Sequence, residues 1–217
     1  MKKLYIFDLD GTIADTKEIV VQGLIDYSIK NCLPPPHVEL ICKNYINPDD
    51  CDFGWGVNKE EQRNLMNEAF LWTTNKISNG SYTPKIFENA KKLIEIIYNN
   101  GHMLAICTSR EAIACYKILE DNNLKKYFKV IKTRDDISHC KKPKPSPDLI
   151  FEIIDEIEIS KKDTFIVGDT DGDILSRKNA GINTIAVCWG FLSKEFLGRL
   201  KPDYLIEKME DVLIEVI

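Results

Sequence analysis

Leu4-Tyr5-Ile6-Phe7-Asp8-Leu9-Asp10-Gly11-Thr12 is the stretch that decides the fold of this chain. Its first four residues form an apolar run, which predicts a short buried β-strand. Asp8 and Asp10 follow immediately, and residues two apart on an extended backbone point to the same side. Gly11 lets the chain bend sharply beside them. The stretch therefore predicts a buried strand that ends in an acidic turn.

Further apolar runs alternate with amphipathic segments along the rest of the chain. Strands are predicted at residues 102–107, 128–131, 164–167, 183–187 and 204–206. Helices are predicted from about residue 85 to residue 101, and at residues 111–122, 147–157 and 173–179. This alternation predicts an α/β fold with a Rossmann-like, doubly wound, mostly parallel sheet. Ligands of such sheets bind at the carboxyl ends of the strands.

Residues 15–80 interrupt the alternation. They contain two helical patterns, at residues 15–30 and 58–76, and an irregular stretch between them that is rich in proline and aromatic residues. We interpret them as a helical cap inserted after the first strand to cover its carboxyl end, with residues 1–14 and 81–217 as the catalytic core. Three aromatic residues could contact a substrate, although packing inside the cap is the simpler interpretation of each: Phe53, Trp55 and Trp72.

Composition and charge exclude several classes of protein. The 217 residues are 44% hydrophobic and carry a net charge of −5, so a basic nucleic-acid-binding face is not expected. The apolar run at the N-terminus stops at Asp8, too early for a signal peptide, and no run reaches the ~20 residues of a membrane span. The seven cysteines contain no C-x-x-C pair, which favours reduced thiols and a cytoplasmic location. A zinc site would need ligands whose spacing fits no compact pattern: Cys32, His37, Cys42 and Cys51.

A second acidic motif follows the strand predicted at residues 164–167. It reads Gly-Asp-Thr-Asp-Gly-Asp over residues 168–173. Alone, it could be a turn that caps the next helix. A calcium loop would need Gly at its sixth position and Glu at its twelfth, where this chain has Ile174 and Ala180. The calcium-loop interpretation is therefore rejected.

If the two acidic motifs follow neighbouring strands, four carboxylates converge on one crevice: Asp8, Asp10, Asp169 and Asp173. Like charges at that distance would raise each other's pKa and destabilise the fold. A hard divalent cation removes the conflict, and an all-oxygen site with few protein ligands suits Mg²⁺. Such an ion also supplies the positive charge that an anionic phosphate substrate needs.

Two weaker features follow other predicted elements. Thr108, Ser109 and Arg110 come after the strand at residues 102–107, where a hydroxyl and backbone N–H groups could bind phosphate, although a helix cap is the commoner role of a threonine there. Lys142 and Lys144 lie in a proline-rich loop before a helix. Each feature alone would be weak evidence of a site.

Together the motifs resemble the haloacid dehalogenase-like (HAD) hydrolase superfamily. The resemblance rests on Asp-Leu-Asp-Gly-Thr at residues 8–12, on Thr108, on Lys-Pro-x-Pro before a helix, and on residues 168–173, in that order. It covers the chain except residues of about 15–80. Residues 82–110 and three C-terminal segments resemble the phosphoglycolate phosphatase branch: residues 180–182, 189–191 and 202–204. That branch usually has Thr-Asn-Lys where this chain has Thr108-Ser109-Arg110.

The resemblance implies a magnesium-dependent phosphoric monoester hydrolase that acts through an aspartyl-phosphate. Asp8 would be the nucleophile, and Asp10 would be the general acid and then the general base. Mg²⁺ would be bound by Asp8, Asp169 and the backbone carbonyl of Asp10. Thr108 and the N–H group of Ser109 would bind phosphoryl oxygens.

The remaining implied roles concern a lysine and a further aspartate. Lys142 and Lys144 both begin a Lys-Pro-x-Pro sequence, and we favour Lys144 because the chain length from it to Asp169 matches the family. Its ammonium group would offset the negative charge of the phosphate. Asp173 would orient Lys144 or a metal-bound water without contacting the substrate.

Other functions share parts of this pattern. A phosphomutase of the same superfamily would have every motif, whereas a dehalogenase would not need Asp10. A receiver-like signalling module also phosphorylates an aspartate beside Mg²⁺, and a catalytically silent binding module is a further alternative. The sequence leaves the substrate open among phosphoglycolate, a sugar phosphate and a nucleotide, and it does not indicate the oligomeric state.

Overall fold

The predicted first strand lies inside a six-stranded sheet in a computed structural model of the protein, which describes residues 2–37, 53–137 and 141–212. The chain forms two compact units. One unit contains Met1–Asp15 and Lys85–Ile217, and the other contains Thr16–Pro84. We call them the sheet unit and the helical unit.

The strands, in chain order, are β1 (Leu4–Phe7), β2 (Ala14–Asp15), β3 (Lys85–Ile86), β4 (Met103–Cys107), β5 (Val130–Lys132), β6 (Thr164–Gly168), β7 (Asn183–Val187) and β8 (Tyr204–Ile206). The helices are α1 (Lys17–Lys30), α2 (Lys59–Ser78), α3 (Ala90–Asn99), α4 (Ala112–Asp121), α5 (Asp148–Ile157), α6 (Asp171–Ala180) and α7 (Lys194–Arg199).

The large sheet has the strand order β5-β4-β1-β6-β7-β8, and all of its pairs are parallel. Phe7 at the end of β1 is paired with Ile106 of β4 on one side and with Val167 of β6 on the other. The residues that follow β1, β4 and β6 therefore meet at one edge of the sheet. The predicted α/β fold with a parallel sheet is confirmed.

One apolar cluster fixes these central strands to α5. Leu4 and Ile6 of β1 and Ile166 of β6 are fully buried in it, together with Ile150 and Ile153 of α5. Every residue of β1 is buried, which is typical of a central strand of a parallel sheet covered on both faces. This packing gives the acidic turn after β1 a rigid base.

Several predicted boundaries differ from the observed ones for local reasons. A strand was expected at residues 128–131, but β5 begins at Val130 because Phe128 still donates its N–H to the Lys125 carbonyl in a 3₁₀ turn. The helix expected from about residue 85 begins only at Ala90, because Lys85 and Ile86 form β3.

A two-stranded antiparallel sheet was not predicted. In it β2 pairs with β3, with Ala14 opposite Ile86 and Asp15 opposite Lys85. These strands lie where the chain leaves the sheet unit and where it returns. Two-residue strands carry no periodic pattern, so the sequence alone could not reveal them.

In the helical unit α1 packs closely against α2. A side chain at Gly23 would come within 2.1 Å of the Thr73 hydroxyl oxygen, so glycine is required at this contact. Phe53 and Trp55 are buried and stacked, with ring centroids 5.2 Å apart, and the Trp55 indole N–H donates to the Ser28 hydroxyl. These two aromatic residues thus belong to the interior of their own unit.

Trp72 lies on α2, and two ammonium groups lie close to its ring. The Nζ atoms of Lys30 and Lys76 lie 4.0 and 4.8 Å from the centre of its ring.

No helix in the described part of the chain combines the length and the apolar character that crossing a bilayer requires. The described cysteines are free thiols, and Cys42, Cys51 and Cys140 lie outside the described residues.

Candidate active site

Three carboxylates meet at the carboxyl ends of β1 and β6. Asp8 follows β1 directly, Asp169 follows β6, and Asp173 lies in the first turn of α6. Each offers one carboxylate oxygen within 4.8 Å of the others. Asp169 and Asp173 are fully buried, and Asp8 is 6% exposed. Three of the four carboxylates expected to converge are thus brought together, whereas Asp10 pairs with Arg110 instead.

Lys144 is the cation at the centre of this cluster. Its Nζ lies 2.7 Å from Asp8 Oδ1 and 2.6 Å from Asp173 Oδ1, and it donates to the Cys107 carbonyl at 3.1 Å. The ammonium group therefore has three acceptors, which is its full donor capacity. Lys142, the other lysine considered, is exposed.

Asp173 ties the lysine to the start of α6. Its Oδ2 atom accepts from the N–H of Thr170 at 3.1 Å and from the Thr170 hydroxyl at 2.7 Å. In return the hydroxyl of Thr170 accepts from the N–H of Asp173, which completes a capping box. Hydrogen bonds at the start of α6 therefore hold the carboxylate of Asp173 in place against Lys144.

Burial and mutual repulsion make the cluster unfavourable without a further cation. Burial raises the pKa of Asp8 to about 7, with Lys144 acting in the opposite direction and Asp173 raising it further. Burial also holds the pKa of Asp169 well above its usual range, and the charges of Asp8 and Asp173 add to the effect. Burial acts to lower the pKa of Lys144, but Asp173 and Asp8 keep it well above its ordinary value.

Asp169 is oriented by two donors and by two close glycines. Its Oδ1 atom accepts from the Thr12 hydroxyl at 3.1 Å, and its Oδ2 atom accepts from the Phe191 N–H at 2.7 Å. A Cβ atom at either Gly11 or Gly190 would lie 2.2 Å from Oδ2. Gly11 also has a φ of +74°, a conformation that favours glycine. The backbone thus encloses this carboxylate tightly.

Asp10 is not part of the carboxylate cluster. The Nε of Arg110 donates to both of its carboxylate oxygens, at 2.9 and 2.7 Å. From the sequence, Arg110 was named as part of the turn after residues 102–107 and as a departure from Thr-Asn-Lys, but its pairing with Asp10 was not predicted. Thr12 and the N–H group of Phe191 were also missed. Thr12 could have been suggested by its place in the first motif, whereas a backbone N–H group carries no sequence signal.

Thr108 and Ser109 lie where the sequence placed them, directly after β4. Thr108 is buried, its N–H donates to the Lys132 carbonyl, and its hydroxyl accepts from the N–H of Arg110 at 3.2 Å. Ser109 is exposed. Because β4 is the neighbour of β1, both residues follow the strand next to the one that ends at Asp8.

The donor set fits a hard divalent cation such as Mg²⁺. It consists of buried carboxylate oxygens, the ligand type that Mg²⁺ prefers. Burial is the main cause of the raised pKa of Asp8 and of Asp169, and repulsion from neighbouring carboxylates adds to it, so a further cation would favour their ionised forms. All three carboxylates already accept hydrogen bonds, Asp8 from Lys144, Asp169 from Thr12 and Phe191, and Asp173 from Lys144 and Thr170. A bound ion would therefore use the remaining lone pairs of these carboxylate oxygens.

The buried aspartates and the lysine lie at the carboxyl ends of the parallel strands. This arrangement places the protein in the class of α/β proteins whose ligands bind at the carboxyl ends of the strands. The family model of the haloacid dehalogenase-like hydrolases matches residues 5–187. The chain therefore belongs to the haloacid dehalogenase-like hydrolase family, and the family resemblance inferred from the motifs is confirmed.

Curated relatives match this chain over nearly its whole length. The pyrophosphatase PpaX of Anoxybacillus flavithermus is 26% identical over 208 residues, which cover 96% of this chain and 94% of that protein. A PpaX of Halalkalibacterium halodurans is 25% identical over 211 residues, with the same coverage of both chains.

Solved structures support the fold. A haloacid dehalogenase-like hydrolase from Streptococcus pneumoniae superposes with a TM-score of 0.81 at 21% identity, over 98% of this chain and 97% of that one. A predicted phosphoglycolate phosphatase from Haemophilus somnus gives 0.80 at 18% identity, again over 98% and 97%.

Proposed function

We propose that the protein is a magnesium-dependent phosphatase that hydrolyses a small phosphorylated metabolite through a phosphoryl group carried on Asp8. The observation that carries the proposal is the contact of Lys144 with Asp8 and Asp173 beside Asp169. Asp8 is a buried carboxylate with one ammonium group and two further carboxylates beside it, and this arrangement is suited to receive a phosphoryl group. It is poorly suited to a structural role, because burying several charges is costly.

The first step forms one bond and breaks another. A carboxylate oxygen of Asp8 attacks phosphorus in line while the bond from phosphorus to the leaving oxygen breaks. Asp10 gives a proton to the leaving alkoxide. In the second step Asp10 takes a proton from water, the water oxygen attacks phosphorus, and the bond to Asp8 breaks to release inorganic phosphate.

The groups around Asp8 stabilise the phosphoryl oxygens during both steps. The Thr108 hydroxyl and the N–H group of Ser109 bind two of these oxygens, and Lys144 offsets their charge. Asp173 keeps Lys144 in place through its contact at 2.6 Å. Bound Mg²⁺ would screen the repulsion between nucleophile and phosphate, with Asp8, Asp169 and the backbone carbonyl of Asp10 as its ligands.

The leaving group divides the candidate substrates into two. A phosphomonoester such as phosphoglycolate or a sugar phosphate is supported by the resemblance of the C-terminal segments to the phosphoglycolate phosphatase branch. Pyrophosphate is the second candidate, supported by the similarity to relatives named pyrophosphatase PpaX. We further propose that the helical unit is the cap that selects among these candidate substrates. We also propose that the enzyme is cytoplasmic, in keeping with the free thiols of Cys107 and Cys115.

A substrate panel tests this proposal. Phosphate release from phosphoglycolate, sugar phosphates, nucleotides and pyrophosphate is measured with Mg²⁺ and, as a control, with EDTA. We expect Mg²⁺-dependent release from at least one member, with free phosphate rather than an isomer as the product. Conversion of a sugar phosphate into its isomer would favour a phosphomutase, and stable phosphorylation of the protein without turnover would favour a signalling module.

A further inference from the structure

A buried ion pair joins Arg110, in the loop after β4, to Asp10, in the loop after β1. Arg110 Nε donates to both oxygens of Asp10, at 2.9 and 2.7 Å. The side chain of Arg110 is 7% exposed and that of Asp10 is 12% exposed. Charged pairs at such depth are weakly screened by solvent, so the pair fixes the geometry of its members more firmly than a surface pair would.

Both members of the pair are themselves fixed. Asp10 follows β1 and Arg110 follows the neighbouring β4, whose Ile106 is in register with Phe7. The N–H of Arg110 donates to the Thr108 hydroxyl, and its carbonyl accepts from the N–H of Arg134 at 2.9 Å. The backbone of Arg110 is therefore held by hydrogen bonds at both its N–H and its carbonyl group. Its guanidinium group reaches Asp10 from the loop that also carries Thr108.

We infer that Arg110 is a positioning residue that orients the carboxyl group of Asp10 toward the leaving oxygen of the substrate. This inference rests on the proposed phosphatase activity. In the first step of that reaction the carboxylic acid form of Asp10 accepts the Arg110 N–H through one oxygen and carries the proton on the other. As the new bond between Asp8 and phosphorus forms and the bond to the leaving oxygen breaks, that proton passes to the leaving oxygen, and Asp10 becomes the carboxylate paired with Arg110. The rate of this transfer depends on where the carboxyl group lies.

The chemistry of arginine suits this task better than that of the lysine usual in the phosphatase branch. The planar guanidinium group restrains a carboxylate in one plane, whereas an ammonium group is a point charge on a flexible stem. Two other roles for Arg110 predict different kinetics. A direct ligand of the phosphate would matter equally for all phosphate esters, and a purely stabilising ion pair would change stability with little effect on catalysis.

These roles are distinguished by how strongly the loss of kcat/KM in each variant depends on the leaving group of the substrate. The variants are Arg110→Met, Arg110→Lys and the control Arg177→Met, which removes an arginine paired with Asp203 elsewhere in the sheet unit. The substrates are 4-nitrophenyl phosphate, whose leaving group is a weak base that departs without a proton, and the alkyl phosphate that the wild type hydrolyses fastest. The quantity compared is kcat/KM, because it reports on phosphoryl transfer to Asp8 and not on the later hydrolysis step shared by all substrates.

We expect Arg110→Met to lower kcat/KM about 100-fold for the alkyl phosphate, the lower end of the usual contribution of a general acid. For 4-nitrophenyl phosphate the loss should stay within about threefold, because no proton is needed. Arg110→Lys should give an intermediate loss for the alkyl phosphate, and Arg177→Met should leave both values unchanged. An equal loss for both substrates, or a gain for the alkyl phosphate, would overturn the inference.

A double-mutant cycle with Asp10→Asn shows whether Arg110 acts through Asp10. In the Asp10→Asn background, Arg110→Met should cause no further loss for the alkyl phosphate. The full loss in that background would overturn the inference. Should Arg110→Met not fold, as judged by circular dichroism, the same comparisons with Arg110→Lys decide. A wild type inactive on every ester overturns the proposed function itself, whereas an active wild type with equal losses overturns only the role of Arg110.

Discussion

The carboxyl group of Asp8 lies among buried charged groups. Lys144 contacts one of its oxygens at 2.7 Å, and Asp169 and Asp173 lie within the same cluster. We expect Asp8→Asn to abolish turnover, with a loss of roughly 10⁴-fold or more, because an amide oxygen is too weak a nucleophile to take its place.

The far-ultraviolet circular dichroism of Asp8→Asn should match that of the wild type, since the amide has the same shape and removes one like charge from the cluster. Phosphate release and the dichroism spectrum are the measurements. Normal turnover by this variant would show that Asp8 is not the nucleophile.

The two lysines of the proline-rich loop differ sharply at the residue scale. The side chain of Lys144 is 9% exposed and contacts two carboxylates, whereas Lys142 is exposed. We expect Lys144→Met to lower the free energy of unfolding by about 3–5 kcal/mol, because it leaves buried carboxylates without their cation. It should also lower kcat/KM by roughly 100-fold.

Lys142→Met is the matched control in the same loop. A change of a solvated side chain should alter the free energy of unfolding by no more than about 0.5 kcal/mol. Urea unfolding and kcat/KM are measured for both variants. Similar losses in the two variants would contradict the assignment of Lys144 to the site.

At the scale of elements, the first turn of α6 connects helix capping to the chemistry. Thr170 is the N-cap residue and also donates twice to Asp173, which in turn contacts Lys144. We expect Thr170→Ala to lower the free energy of unfolding by about 1 kcal/mol through loss of the cap. The variant should also lower kcat/KM, because Asp173 loses a donor that orients it.

The N-cap of α2 is the control for this prediction. Asn58 accepts from the N–H of Glu61 at 3.0 Å, and it lies in the helical unit rather than at the strand ends. Asn58→Ala should cost a similar amount of stability, about 1 kcal/mol, with kcat/KM unchanged. If both variants lost activity equally, capping alone would explain the loss and Thr170 would have no part in orienting Asp173.

At the scale of the whole molecule, the acidic cluster should link stability, pH and Mg²⁺. Because the pKa of Asp8 is raised to about 7, its contribution to stability is complete below its unfolded value of 3.8 and is lost as the pH rises through about 7. The metal-free fold therefore carries its largest electrostatic penalty above pH 7. Mg²⁺ binds the ionised carboxylates and should offset that penalty.

We expect Mg²⁺ to raise Tm more at pH 8 than at pH 5.5. For a protein of 217 residues, Mg²⁺ at about 100 times its Kd should raise Tm at pH 8 by roughly 5–10 °C. Thermal scans with Mg²⁺ or EDTA at the two pH values measure this. The Asp169→Asn variant should lose most of the shift, and an equal shift at both pH values would contradict the proposed metal site.

Much of the fold could be read from local patterns. The strands at residues 183–187 and 204–206 were predicted with the bounds that β7 and β8 have, because compact runs of apolar residues limit where a buried strand can start and end. The strand β3 was missed and the start of α3 was predicted too early. Pairing with β2 decided both, and a partner that lies about 70 residues away leaves no local pattern.

The residues of the candidate site were likewise predicted only in part. The sequence alone marked Asp8, Asp169 and Thr108 as polar residues that follow apolar strands, because strand ends are visible in hydrophobicity. It favoured Lys144 over Lys142 without showing what either lysine contacts, and it did not indicate what Arg110 contacts. Those answers needed the order of the strands in the sheet.

The sequence by itself therefore determined the class of fold, the edge of the sheet that carries polar residues, and the family. Only the tertiary structure decided which charges pair. Lys144 and Asp8 are 136 residues apart and Arg110 and Asp10 are 100 residues apart. Strand formation depends on neighbours along the chain, whereas an ion pair depends on which strands lie side by side, and that is settled by packing of the whole core.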